Sequence, residues 1–195
     1  MARSAIMVKA LFLDRDGVLD ELVSYEDGWG APRKPEDLKL LPRVSEALDL
    51  AANDGWMIFV VSNQPDAAKR MTTQESLDAV HRTLLEELRG APIREFYYCF
   101  HRREDRCECR KPEPYFVLQA ARKYGIDLAQ SWFVGDVGTD IEAGKRAGTR
   151  TALLEYEHSR SRRGTQQPDW VCRDLDHFVR RLISQPSSDA AQPEN

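Results

Sequence analysis

Apolar residues in this chain fall into short unbroken runs, separated by stretches where they recur every three or four positions. KALFLD (9–14) is such a run, ended by an acid, and reads as a buried strand. WMIFVVSN (56–63), EFYYCF (95–100), SWFVGD (131–136) and TRTALLEY (149–156) read the same way, and DWVC (169–172) as a short last strand. The intervals carry helical periodicity. PRVSEALDLAANDG (42–55) puts Val44, Leu48 and Ala51 on one face, with Pro42 near its start and Gly55 past its end. TTQESLDAVHRTLLEELRG (72–90) opens on an expected capping box from Thr72 to Glu75. PEPYFVLQAARKYG (112–125), TDIEAGKRAG (139–148) and LDHFVRRLIS (175–184) are the remaining helices. Strands alternating with helices predict an α/β fold, a central parallel sheet covered on both faces in three layers. The expected organisation is one domain over residues 1–184. QPSSDAAQPEN (185–195) is small, polar and proline-bearing, and is expected to be a disordered tail.

Composition narrows the class. At 195 residues and 42% apolar content, the chain can bury a full core. The net charge of −4, with acids and bases well mixed, gives no reason to expect nucleic acid as a partner and suits a small-molecule enzyme. The N-terminal MARSAIMVKALFLD has too short an apolar run for a signal peptide and is broken by Lys9. No run approaches the roughly 18 apolar residues of a membrane helix. The expected setting is therefore the cytoplasm, where clustered cysteines bind metal or do redox work more often than they form disulfides.

In parallel sheets, ligands sit outside the carboxyl ends of the strands. The residues just past those ends are Asp14 and Asp16 in DRDG, Ser62 in SNQP, and Asp136 and Asp140 in GDVGTD; Lys111 stands just before a helix start. Asp14 and Asp136, with one backbone carbonyl, suit a hard cation such as Mg²⁺, and Asp16 is counted with them as a metal residue. A free Asp14 carboxylate can attack phosphorus and form an aspartyl phosphate. Asp16, two residues on, falls on the same side of an extended chain and can serve the leaving oxygen as acid and base. Gly17 frees the backbone to turn. Ser62 and Lys111 can hold the phosphoryl oxygens, where charge accumulates. Each motif alone has a plainer reading, as a helix cap or a turn. Their order, each at a strand end, is what carries weight.

LFLDRDGVL, VVSNQ, CRKP and FVGDVGTDIEAG together resemble the haloacid dehalogenase superfamily of aspartate-nucleophile phosphatases, over about residues 9–156. The resemblance implies a Rossmann-like fold. It also implies Asp14 as nucleophile, Asp16 as general acid/base, Ser62 and Lys111 as phosphoryl binders and Asp136 as Mg²⁺ ligand. Asp140 matches the second acid of the last motif, a supporting position.

The stretch YYCFHRREDRCECRKP (97–112) holds three of the four cysteines. Cys99-x-His101 and Cys107-x-Cys109 offer three thiolates and one imidazole, a closed tetrahedral Zn²⁺ set of the structural kind. The alternatives are a strained Cys107–Cys109 disulfide and unconnected buried thiols. Zinc here would fold a charged loop that has no core of its own and fix Arg110 and Lys111 beside the phosphate site. The arrangement resembles the heptose 1,7-bisphosphate phosphatases and the related histidinol-phosphate phosphatases. That resemblance implies substrate recognition by Arg110, a pocket lined by Ser62 to Pro65 (Asn63 and Gln64 among them), a phosphorylated sugar as partner, and no large cap domain. NQPDAAKR, Val137 after the motif aspartate, and GWGAPRKPED (28–37) depart from the heptose pattern. HSRSRRG (158–164) reads as a mobile surface loop rather than a nucleic-acid contact. His81 and His177 read as surface residues, and Cys172 as strand packing. Two rivals of other classes remain in view: a catalytically silent zinc-bearing binding module and a nucleic-acid-end phosphatase.

Overall fold

The computed structural model of the chain describes residues 8–185. The expected tail, from residue 186 on, lies outside the described residues. Six strands form one sheet: β1 (Ala10–Leu13), β4 (Met57–Asn63), β5 (Ile93–Cys99), β6 (Trp132–Gly135), β7 (Arg150–Leu154) and β8 (Trp170–Cys172). Their order is β5-β4-β1-β6-β7-β8, with every pairing parallel. Five helices intervene: α1 (Val44–Asn53), α2 (Gln74–Glu87), α3 (Tyr115–Tyr124), α4 (Gly138–Ala147) and α5 (Leu175–Ile183).

The two-residue period of β1 divides the core. Leu11 and Leu13 point to the layer that holds Val44, Leu48, Leu84, Phe178 and Val179. Ala10 and Phe12 point to the layer that holds Val117, Ala120, Ala143 and Ala147. Both faces are therefore covered and the strands read as continuous apolar runs. From β1 the chain builds outward through β4 and β5, then returns to β6 on the other flank. The direction of winding reverses between β1 and β6, which opens a crevice past their carboxyl ends. Gly135 has no side chain because Asp140 packs where a Cβ would stand.

Two local expectations change. Between β1 and α1, where the apolar pattern marks no element, Val23–Tyr25 (β2) and Gly28–Gly30 (β3) form an antiparallel hairpin. Its strands are three residues long and partly exposed, too short for a period to show. The cap of α2 is Thr73, whose Oγ1 accepts from the Ser76 N–H at 3.2 Å. Thr72 instead donates to the Arg33 carbonyl at 2.8 Å, so a tertiary contact displaces the local box.

Candidate active site

The sheet delivers Asp14 and Asp136 side by side, one residue past β1 and one past β6. Asp14 is held on both sides of one oxygen: its Oδ1 accepts from the Arg15 N–H at 2.7 Å and lies 2.8 Å from Lys111 Nζ. Lys111 is 3% exposed and pairs a second time, with Asp140 Oδ1 at 2.7 Å. Burial alone would push this ammonium down, but Asp14 and Asp140 outweigh it and its pKa sits above the ordinary lysine value. Asp140 Oδ2 accepts from the Val137 N–H at 3.2 Å, so both its oxygens are committed. Burial raises the Asp140 carboxyl to about 6, against the opposing pull of Lys111.

Asp136 is different. It is 1% exposed, and among the described residues its Oδ2 has no hydrogen-bond partner. Burial, then Asp140 and Asp14, push its pKa well up. An orphaned buried carboxylate oxygen next to two more acids is costly unless a cation joins them. Asp14, Asp136 and Asp140 each offer an oxygen within 4.8 Å of the others. That donor set is hard and anionic, and fits Mg²⁺. Gly17 is required beside it: at φ +81° its absent Cβ would collide with Asp136 Oδ2.

Asp16 faces the same cavity but its carboxylate is turned from the acidic triad. Oδ1 accepts from Arg15 Nη2 at 2.6 Å and Nε at 3.0 Å; Oδ2 accepts from Gln64 Nε2 at 2.6 Å and from Ser62 Oγ at 3.4 Å. The acids whose oxygens converge are Asp14, Asp136 and Asp140, while the Asp16 carboxylate makes these other bonds. Gln64, expected among substrate contacts, is buried and spends its amide on Asp16, Ser62 and Arg15. Asn63 lines the cavity, but its amide exchanges two hydrogen bonds with the Lys111 backbone, at 3.0 and 3.1 Å. It clamps the lysine to the end of β4.

Arg15 escaped the sequence reading. It is 1% exposed and also reaches Asp20 Oδ2 at 3.3 Å. An arginine between two aspartates, inside an apolar segment, is the signal that was there to find. Asp20 is fully buried, and burial and then Asp16 raise its pKa well above the usual range.

The cysteine segment closes on itself. Sγ–Sγ separations among Cys99, Cys107 and Cys109 are 3.4, 3.6 and 3.7 Å, and His101 Nδ1 lies 3.4 Å from Cys109 Sγ and 3.6 Å from Cys99 Sγ. A tetrahedron with Zn–S near 2.3 Å has edges of about 3.8 Å between sulfurs and about 3.5 Å from sulfur to nitrogen. The four ligands match those edges, and the thiols are not bridged. Burial pushes the Cys99 thiol up to about 12, so a cation is what would ionise it. Arg110 Nη1 donates to the His101 carbonyl at 2.9 Å, and Gln64 N–H to the Cys99 carbonyl at 2.7 Å, which ties this loop to the site.

These residues surround a cavity of about 450 Å³ floored by Asp14, Asp16, Lys111 and Asp136. Trp29 and Arg33 wall it on one side, Arg110 and Arg162 on others. Two stretches read as outlying therefore meet the site. Arg33 of the 28–37 segment pairs with Asp66 of NQPD at 3.1 Å and with Asp27 at 2.7 Å. The basic segment 158–164 is anchored rather than loose: Ser159 is buried and donates to the Asp136 carbonyl at 3.2 Å. His81 is half-buried, with Nδ1 3.0 Å from Tyr98 Oη, rather than a surface residue. His177 is exposed and Cys172 sits in the core, as expected.

Among the described residues, no helix is long and apolar enough to cross a membrane. A HAD-hydrolase-like family profile matches residues 108–178. A D-glycero-beta-D-manno-heptose-1,7-bisphosphate 7-phosphatase of Rhodopseudomonas palustris is 34% identical over 192 residues, 94% of this chain and 94% of that protein. The Helicobacter pylori protein of the same name is 33% identical over 88% of this chain and 95% of that protein. The crystal structure of D,D-heptose 1,7-bisphosphate phosphatase from B. bronchiseptica, complexed with magnesium and phosphate, superposes with a TM-score of 0.79 at 27% identity, covering 90% of this chain and 98% of that one. Matched at this identity over nearly its whole length, the chain belongs to the heptose-1,7-bisphosphate 7-phosphatase family of HAD-like hydrolases.

Proposed function

We propose that the chain is a Mg²⁺-dependent, cytoplasmic phosphomonoester hydrolase working through an aspartyl phosphate on Asp14. Its substrate on this reading is D-glycero-D-manno-heptose 1,7-bisphosphate, cleaved at the 7-phosphate. The observation that carries the reading is the Asp14–Lys111 pair at 2.8 Å beside the partnerless Asp136 Oδ2, at the floor of a cavity large enough for a sugar.

Asp14 attacks phosphorus and the ester P–O bond breaks; Asp16 gives the departing alkoxide its proton. Asp16 then takes a proton from water as that water attacks the phosphorus of the acyl phosphate, which releases phosphate and restores Asp14. Arg15, Gln64 and Ser62 hold the Asp16 carboxylate between these two transfers. Lys111 faces the charge that develops on the transferring oxygens, and Asp140 and Asn63 fix its head and its backbone. Asp14 and Asp136 would hold Mg²⁺, which when bound relieves the repulsion between the Asp14 carboxylate and an anionic ester. Cys99, His101, Cys107 and Cys109 would hold Zn²⁺ as a framework for Arg110 and Lys111.

Turnover of both anomers of heptose 1,7-bisphosphate, and of histidinol phosphate, is the direct test, since relatives are named for either heptose anomer. Heptose bisphosphate is expected to give the highest kcat/KM, with release of the 7-phosphate alone. Asp14→Asn is expected to abolish turnover, by at least about 10³-fold. A preference for histidinol phosphate would overturn the substrate, and a fully active Asp14→Asn would overturn the mechanism.

A further inference from the structure

Trp29 stands in the middle of β3, opposite Ser24 of the β2–β3 hairpin, 44% exposed, in the wall of the active-site cavity. One of its faces is covered by the ring of His158, with centroids 3.6 Å apart and planes 12° from parallel. His158 is itself braced edge-on by Tyr156, at 5.4 Å and 87°. Tyr156 Oη accepts from the Leu22 N–H at 3.2 Å, so one tyrosine holds both the root of the hairpin and the histidine that stacks on Trp29. One residue beyond His158, Ser159 is bonded to the Asp136 carbonyl. The opposite flank of the hairpin is pinned by Arg33, to Asp27 and to Asp66. The indole is therefore stacked on His158 on one face, in a hairpin anchored at Leu22 and Arg33, and lines the cavity while still 44% exposed. An aromatic surface left open beside a phosphate site suits the C–H face of a sugar ring, which an indole binds through its apolar body.

We propose that Trp29, oriented by His158, is the specificity-determining platform of this site, on which the sugar ring of the phosphate ester stacks. Arg162, a few residues beyond His158, lines the same cavity and adds a cation to its wall. The inference rests on the phosphatase reading above, though not on heptose being the sugar. Binding energy gathered at this remote wall serves a ring-bearing ester and is absent for one without a ring.

The test compares kcat/KM for cyclic sugar phosphates (heptose 1,7-bisphosphate, fructose 1,6-bisphosphate and mannose 6-phosphate) with kcat/KM for acetyl phosphate, which has no ring. Trp29→Ala is expected to lower the value for the best sugar phosphate about tenfold through KM, against less than about twofold for acetyl phosphate. Trp29→Phe keeps most of the sugar preference, and His158→Ala loses part of it in the same pattern. Equal losses on both classes, or no loss on either, overturn the proposal. If the wild type ignores the heptose but turns over another sugar phosphate, the heptose reading fails and the platform is judged on that other sugar.

Discussion

Single side chains decide what this site can do, and the clearest case is one whose neighbours leave it no alternative. Gly17 sits at φ +81° against Asp136, so Gly17→Ala meets both backbone strain and a collision with the carboxylate. The Mg²⁺ concentration for half-maximal activity is expected to rise at least tenfold in that variant, measured by titration of turnover. An unchanged midpoint would mean that Asp136 does not hold the ion. Arg15 makes a second case. It pairs with Asp16 and Asp20 while almost fully buried, and Asp20 has no hydrogen-bond donor of its own. Arg15→Met is expected to cost about 3–5 kcal/mol by stranding that carboxylate, a fall in Tm of roughly 10 °C. A fall of only one or two degrees would show that Asp20 is folded neutral and needs no partner. Asp14, Asp16, Ser62 and Asp136 could be named as candidates from their places at the strand ends, and Lys111 from its place before a helix start. Their contacts could not, because the sequence does not say that Gln64 turns beneath the site while Asn63 reaches across to residue 111.

Among elements, the loop between β5 and α3 is the one that depends on something other than packing. Residues 101–106 are all exposed, and what gathers the loop is the cluster of Cys99, His101, Cys107 and Cys109, which could hold a metal ion. About one zinc per chain is expected by elemental analysis. Cys107→Ser, or stripping by a strong chelator that is then removed before assay in excess Mg²⁺, is expected to raise KM and lower kcat while the far-ultraviolet circular dichroism changes little, since the sheet lies outside the loop. A chelated protein with unaltered kinetics would separate the loop from catalysis. The α2 cap is a milder case: Thr73→Ala is expected to cost about 1 kcal/mol by chemical denaturation and leave turnover intact. The helices were legible because a period of 3.6 repeats along them, and the sheet strands because they are short apolar runs, buried on both faces. The hairpin was not, since three-residue strands with mixed exposure repeat nothing.

The described residues build one six-stranded sheet with a core on either face and a small hairpin beside it, and we propose that the chain unfolds as one domain. The two cores share every central strand: alternate residues of β1 and β4 feed opposite layers. Neither layer can open without exposing the other, so calorimetric and van't Hoff enthalpies are expected to agree in a single thermal transition. Two resolved transitions would speak against a single domain. The same architecture explains the site. Winding outward from β1 in one direction and from β6 in the other leaves a gap in the middle, where no crossover covers the strand ends.

The sequence by itself determined the alternation of strands and helices, the acids that follow them and the four-ligand set. Those are local facts, written in runs and spacings of a few residues. Only the tertiary structure decided that the 28–37 segment and the basic 158–164 segment are walls of one cavity, through Trp29 on His158 and Arg33 on Asp66. Such contacts join residues 33 to 129 positions apart, and a side chain's partner at that distance is set by how the chain crosses the sheet rather than by its neighbours in sequence.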